Sequence, residues 1–228
     1  MATMPPPSDA PLLRHSPARV HGRYLVRPPA SREASCWLVG FHGQGQTAEE
    51  FMESLDRIPR NDAWLLASVQ GLNRHYANRG QQIVATWMTS QDRDLAIADN
   101  VAWVDSVLDR LEAEFGTPRA IVFTGFSQGV AMAYRAALLG RRACAAIATT
   151  GGDVPAELLA LEARAWPRVL SATGAADAWY TPARLETDVH ALRAKGADVR
   201  SLVFEGAHEW SDAFAEAVGE ELRRIEGV

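Results

Sequence analysis

Short apolar runs alternate with longer stretches in which apolar residues recur every three or four positions, and this alternation continues almost to the end of the chain. The segment RVHGRYLVRP at 19–28 alternates with a period of two, which predicts a half-exposed strand. CWLVGF (36–41), AWLLASV (63–69), AIVFTG (120–125), ACAAIAT (143–149), RVLSAT (168–173) and VRSLVFE (199–205) are mostly near-continuous apolar runs, the pattern of parallel strands covered on both faces. Helices are predicted over 92–116, with Leu95, Ile97, Val101, Val104, Val107 and Leu111 at helical spacing, and over 128–139, 182–195 and 210–225. Strands and helices in alternation imply an α/β architecture: an open, mostly parallel twisted sheet with helices on both faces and ligand sites at the carboxyl ends of the strands.

Composition narrows this picture without redirecting it. With 228 residues, 47% hydrophobic and 22% charged, the chain suffices for one sizeable core. The first 18 residues, MATMPPPSDAPLLRHSPA, are rich in Pro and small polar residues and hold no apolar run long enough for a signal-peptide core or a membrane span. They read as a flexible tail, leaving 19–228 as a single domain and no transmembrane segment. A net charge of −5 with no cluster of Lys or Arg argues against nucleic acid and anionic membrane surfaces as partners. Cys36 and Cys144, the only cysteines, both sit in apolar stretches and read as small buried hydrophobes, which fits a reducing, cytoplasmic compartment. The oligomeric state, monomer or homodimer, stays open at this level.

The chemistry concentrates at IVFTGFSQGV (121–130), where Ser127 stands between Gly125 and Gly129 after a strand and before a helix rich in Ala and Met. Gly-x-Ser-x-Gly in that context bends the backbone sharply enough to expose the serine as a nucleophile, whereas a lone serine there would serve only as a helix cap. A serine nucleophile needs a base. Among His15, His21, His42, His75, His190 and His208, only His208 follows the last strand and comes after Ser127 in the required chain order; His75 falls in a polar loop and His190 in a helix. The third member is a carboxylate between them at a strand end. Asp177 in SATGAADAWYTP is favoured because its strand immediately precedes the one that delivers His208. Asp153 in TTGGDVP is the rival, with helix capping as its alternative work.

FHGQGQTAEEF, FTGFSQGVAMAYRAAL, TGAADAWYTP and GAHEW, in that order, resemble the phospholipase/carboxylesterase family of α/β-hydrolases, which includes the acyl-protein thioesterases. The resemblance runs from about Cys36 to the last helix. It implies the α/β-hydrolase fold and cleavage of carboxylic esters or thioesters of small-molecule or acyl-chain substrates, without a cofactor. It also implies Ser127 as nucleophile, His208 as base, Asp177 as acid, and the backbone N–H groups of Gln44 and Gln128 as the oxyanion hole. The chain departs from the family at Thr173-Gly174, where His-Gly is common, and at Trp179-Tyr180, where smaller apolar residues are usual.

Fewer than twenty residues lie between the strand ending at Thr149 and the one beginning at Arg168, too few for a large cap domain. The site is therefore expected to be shallow, with Trp87, Met88, Trp179 and Tyr180 as candidate walls of an acyl groove, or else as ordinary core or surface residues. Two other functions are weighed against hydrolysis. Gly43-x-Gly45-x-x-Ala48 also satisfies a dinucleotide fingerprint and would suit a nicotinamide-dependent oxidoreductase, but the next strand closes on Ser68-Val69-Gln70 without the acidic residue that holds the ribose. A catalytically silent hydrolase-fold binding module would carry the same motifs. No metal is expected: HEWSD at 208–212 has Asp212 where a zinc site needs its second histidine.

Overall fold

Nine strands and six helices are present among the described residues of the computed structural model, which are 11–30, 36–59, 61–77, 80–161 and 165–227. The strands are β1 (Tyr24–Arg27), β2 (Trp37–Phe41), β3 (Leu65–Val69), β4 (Asn73–Tyr76), β5 (Ile83–Thr86), β6 (Ile121–Phe126), β7 (Ala146–Thr150), β8 (Arg168–Gly174) and β9 (Val199–Phe204). The helices are α1 (Ala48–Asp56), α2 (Arg93–Phe115), α3 (Gln128–Leu139), α4 (Ala156–Leu159), α5 (Pro182–Ala194) and α6 (Asp212–Glu226). Each apolar run of the sequence forms a strand of one seven-stranded sheet in the order β1-β3-β2-β6-β7-β8-β9, in which only β1 pairs antiparallel.

Alternation along the strands divides the core between the two faces of the sheet. Trp37, Val39, Phe41 and Phe123 point to one face, where α2, α3 and α5 cover them with Val104, Val107, Leu111, Val130, Leu185 and Leu192. Leu38, Leu66 and Val122 point to the other, against Phe51 and Leu55 of α1 and Phe214 and Val218 of α6. Because both faces are covered, the inner strands carry no polar face, which is why they read as continuous apolar runs, whereas β1 and β9 at the sheet edges are only partly covered and leave Ser201 and Val203 exposed.

Several local expectations need correction. Leu95, placed on the apolar stripe of α2, is 48% exposed, and the buried positions of that helix run instead through Ile97, Val104, Val107, Leu108 and Leu111. His75 lies in β4, which pairs with β5 as a separate hairpin; the four residues of β4 are all exposed, so no apolar pattern marks it. Cys36 is buried, but Cys144 is only partly so, and burial still pushes its thiol up to about 12, leaving it an unreactive group. The chain between β7 and β8 holds only the four-residue α4 among its described residues, so no large cap covers the sheet edge. Of the expected tail, 11–18 has no helix or strand and is exposed, while 1–10 lies outside the described residues.

Strand order creates the site. From β2 the chain moves to β3 on one side and later returns to place β6 on the other, so connections leave β2 and β6 in opposite directions and a crevice opens at their carboxyl ends. The HGQGQ loop leaves β2 there, and the serine turn leaves β6.

Candidate active site

Ser127 joins β6 to α3 with φ 53° and ψ −119°, a region that residues with a side chain avoid. The turn is held by Ser127 N–H donating to Thr150 O at 3.0 Å and by Val130 N–H donating to Ser127 O at 3.0 Å. Its glycines are required by space: a β-carbon on Gly125 would lie 2.4 Å from Gly129 O, and one on Gly129 would lie 1.9 Å from Phe41 O. Strain of this kind costs about 1–3 kcal/mol, and a glycine at position 127 would release it while adding about 0.5–1 kcal/mol of chain entropy to the unfolded state. Ser127→Gly is therefore expected to gain about 1 kcal/mol of stability in denaturant unfolding. A loss of stability would show that the turn is unstrained.

The loops after β8 and β9 bring in a carboxylate and an imidazole together. Ala175 N–H donates to Phe204 O at 2.8 Å and Ala176 N–H to Gly206 O at 2.9 Å; a β-carbon on Gly174 would sit 2.2 Å from Ala207 O. The two loops thus pack backbone against backbone. In the result, His208 Nε2 lies 2.9 Å from Ser127 Oγ, and His208 Nδ1 lies 2.8 Å from Asp177 Oδ2. An ionised carboxylate only accepts, so Nδ1 carries the proton and Nε2 is free to accept from the serine hydroxyl. The imidazole also packs on Phe126, with ring centroids 5.0 Å apart.

Asp177 is buried. Burial pulls its carboxyl upward, but the N–H of Tyr180, His208 and the N–H of Trp179 all donate to it and hold it below the usual carboxylate range. Thr173, where the resembled family commonly has histidine, is buried beneath this loop and donates from Oγ1 to Tyr180 O. Asp153 has other work. It pairs with Arg184 at 2.5 Å on the surface and caps no helix; Pro155 holds the cap position of α4, and Asp188 accepts from Val154 N–H at 2.9 Å.

The HGQGQ loop approaches the serine closely, since a β-carbon on Gly43 would stand 3.3 Å from Ser127 Cβ. Among the described residues, the backbone N–H groups of Gln44 and Gln128 donate to no protein acceptor, and both residues border the same cleft. Side chains that sequence reasoning passed over hold this arrangement. Gln46 Oε1 accepts from Gly43 N–H at 2.7 Å. Gln128 Oε1 accepts from Thr86 Oγ1 at 2.8 Å and Trp87 N–H at 2.9 Å, while its Nε2 donates to Met88 O at 3.0 Å. His42 is fully buried, accepts from Gly71 N–H at 2.9 Å through Nε2, and donates from Nδ1 to Gly43 O at 2.7 Å. Burial lowers its pKa, favouring the neutral tautomer that both bonds require. The local signal was only a histidine beside a glycine-rich loop, which does not separate burial from exposure.

Trp87, Met88, Trp179 and Tyr180 all border an open cleft of about 830 Å³ that also includes Ser127 and His208. They differ in what they present. Trp87 is fully buried, its Nε1 donating to His42 O and its ring stacked on His42. Tyr180 is buried with its hydroxyl donating to Asp188 at 2.8 Å. These two support the cleft from behind, while Met88 is partly exposed and Trp179, 76% exposed, stands at its mouth. His15, His21, His75 and His190 are not among the residues that line it.

The chain matches no protein-family model and no curated protein. Solved structures are similar to most of it. A crystal structure of esterase PE8 superimposes with a TM-score of 0.72 at 24% identity, over 90% of this chain and 100% of that one. Acyl-protein thioesterase 2 of Zea mays gives 0.71 at 18% identity, over 90% and 99%. A phospholipase/carboxylesterase from Dyadobacter fermentans gives 0.64 at 22% identity, over 89% and 97%. At these identities the likeness is one of architecture, and with the sheet order and the serine turn it establishes that this chain has the α/β-hydrolase fold.

Proposed function

We propose that this chain is a serine hydrolase of carboxylic esters or thioesters, of the phospholipase/carboxylesterase type, acting through an acyl-enzyme on Ser127. The observation that carries the reading is the unbroken relay Ser127 Oγ, His208 and Asp177, with links of 2.9 and 2.8 Å, on a serine held in a strained turn beside two undonated N–H groups. The names of the similar structures, an esterase, a thioesterase and a phospholipase/carboxylesterase, point the same way.

In this reading Ser127 Oγ attacks the carbonyl carbon as its proton passes to His208 Nε2, and the carbonyl π pair moves onto oxygen. The N–H groups of Gln44 and Gln128 receive that oxyanion, an interaction worth about 3–4 kcal/mol of barrier per donor. Collapse breaks the C–O or C–S bond, and the Nε2 proton leaves with the alcohol or thiol. Water then repeats the sequence against the acyl-enzyme, regenerating Ser127. Asp177 keeps the imidazole in the reactive tautomer and offsets its transient charge.

The test is a rapid-mixing assay with a p-nitrophenyl ester followed by acid quench and peptide mass analysis. Expected are a burst of nitrophenol and an acyl adduct on Ser127; an adduct elsewhere would sink the assignment. The pH profile supplies a second check. Asp177, held below the usual carboxylate range, stays ionised through neutral and mildly acid pH. One protonation therefore removes the base, so kcat/KM is expected to fall toward acid with a limiting logarithmic slope of unity. A slope of two would mean that another group must also lose a proton.

A further inference from the structure

The cleft contains positive charge that the chemistry at Ser127 does not use. Ser127, Ala131 and Arg135 are spaced four residues apart and all line the cleft, so they form one stripe along α3 that begins at the nucleophile. Eight residues of helix put Arg135 Cα about 12 Å along the axis from Ser127, and its side chain leans back toward the helix start.

Arg135 is 3% exposed, and burial opposes its charge. Its Nε and Nη2 both donate to Glu157 Oε1, at 2.9 and 2.8 Å, while Arg93 Nη2 takes the other oxygen of the same carboxylate at 3.0 Å. One carboxylate thus serves two guanidinium groups. Among the described residues, the remaining Arg135 nitrogen, Nη1, meets only Met88 Sδ at 3.5 Å, and a thioether is a weak acceptor for a buried cation. Arg93 and Arg135 border the cleft, whereas Glu157 is not among the lining residues. Among the described residues, the other nearby charges do not supply the missing anion: Arg184 and Asp153 neutralise each other, and Asp94, 4.0 Å from Arg93, is 99% exposed and screened by water.

We propose that Arg135 and Arg93 form a carboxylate-binding subsite, so that the preferred substrate is an ester or thioester carrying a second carboxylate a few bonds from the scissile carbonyl. This rests on the hydrolase reading. The uncompensated charge is a single one, which suits a carboxylate better than a phosphate dianion. A chain lying along α3 over Ala131, whose small side chain leaves the path open, would bring that carboxylate to Arg135.

The experiment compares matched pairs. For the acyl half, p-nitrophenyl monoesters of glutaric and adipic acid are set against p-nitrophenyl valerate and hexanoate. For the leaving half, the acetyl thioester of mercaptopropionate is set against that of propanethiol. A preference in kcat/KM of about tenfold, the size of one charge-assisted hydrogen bond, is expected for the anionic member of at least one pair, and it identifies the half that reaches the arginines. Arg93→Gln should move that ratio toward unity and Glu157→Gln should raise it. Reading the ratio within each variant cancels any shared loss of folded enzyme, and raised salt should erode it. Neutral esters cleaved with no anionic preference in either pair would overturn the subsite alone, as would both variants shifting the ratio the same way. No turnover of any ester, with no phosphonate adduct on Ser127, would take down the hydrolase reading and the subsite with it.

Discussion

Ser127→Ala is expected to lower kcat for ester hydrolysis by a factor on the order of 10⁶, because losing the nucleophile costs about as much as losing the whole relay when its members act as a unit. The fold should survive. Ser127 is partly exposed at the cleft and, among the described residues, its hydroxyl engages only His208, so no buried partner is stranded by its removal. Far-ultraviolet circular dichroism and denaturant unfolding should match the parent to within about 0.5 kcal/mol, the ordinary range for substitutions away from the core. Treatment of the parent with a fluorophosphonate should give one adduct by intact mass, on Ser127, and none in the variant. A labelled alanine variant, or one that keeps full activity, would place the nucleophile elsewhere and return the silent binding module to consideration.

The second large effect separates two carboxylates. Asp177→Asn preserves shape, but an amide facing His208 Nδ1 can present N–H and favour the tautomer with its proton on Nε2, which leaves Ser127 without a base; kcat should drop by a factor on the order of 10⁴. Stability should change with pH in a defined direction. The Asp177 carboxyl is held below its ordinary value in the folded protein, so its contribution is present above the unfolded pKa of 3.8 and is lost as pH falls through the folded one. The stability gap between parent and Asp177→Asn should therefore be widest near neutral pH and close in strong acid. Asp153→Asn should be mild in both respects, since its ion pair with Arg184 is about half exposed on each side and pairs of that kind contribute about 0–1 kcal/mol. An inactive Asp153→Asn beside an active Asp177→Asn would reverse the assignment.

Much of the architecture can be read from residue order because the physical signals are local. A strand covered on both faces must be apolar throughout, and β2, β3, β6, β7 and β8 are such strands. Helix α3 begins and ends where its glycines and apolar spacing predict, at Gln128 and Leu139. Other elements carry weaker signals. Thr47 and Glu50 form a capping box at the start of α1, yet that helix is short and its apolar stripe consists of little more than Phe51 and Leu55. The β4–β5 hairpin has no periodic pattern because β4 buries nothing.

Residue order suffices for the strand–turn–helix that carries Ser127, for the alternation that makes an open parallel sheet, and for the candidacy of His208 and Asp177 through their positions after the last two strands. Which groups meet depends on the folded chain. The contact between His208 and Ser127 spans 81 positions of chain and that between His208 and Asp177 spans 31, and they exist because loop backbones pack at one sheet edge. Burial is likewise collective. His42 and Trp87 are core residues while Trp179 is exposed, and no property of the residue type separates the two tryptophans. The same holds for Arg135: in the sequence it is one cation on a helix, and only the fold makes it share Glu157, from 22 residues away, with Arg93 and sets its remaining nitrogen against Met88.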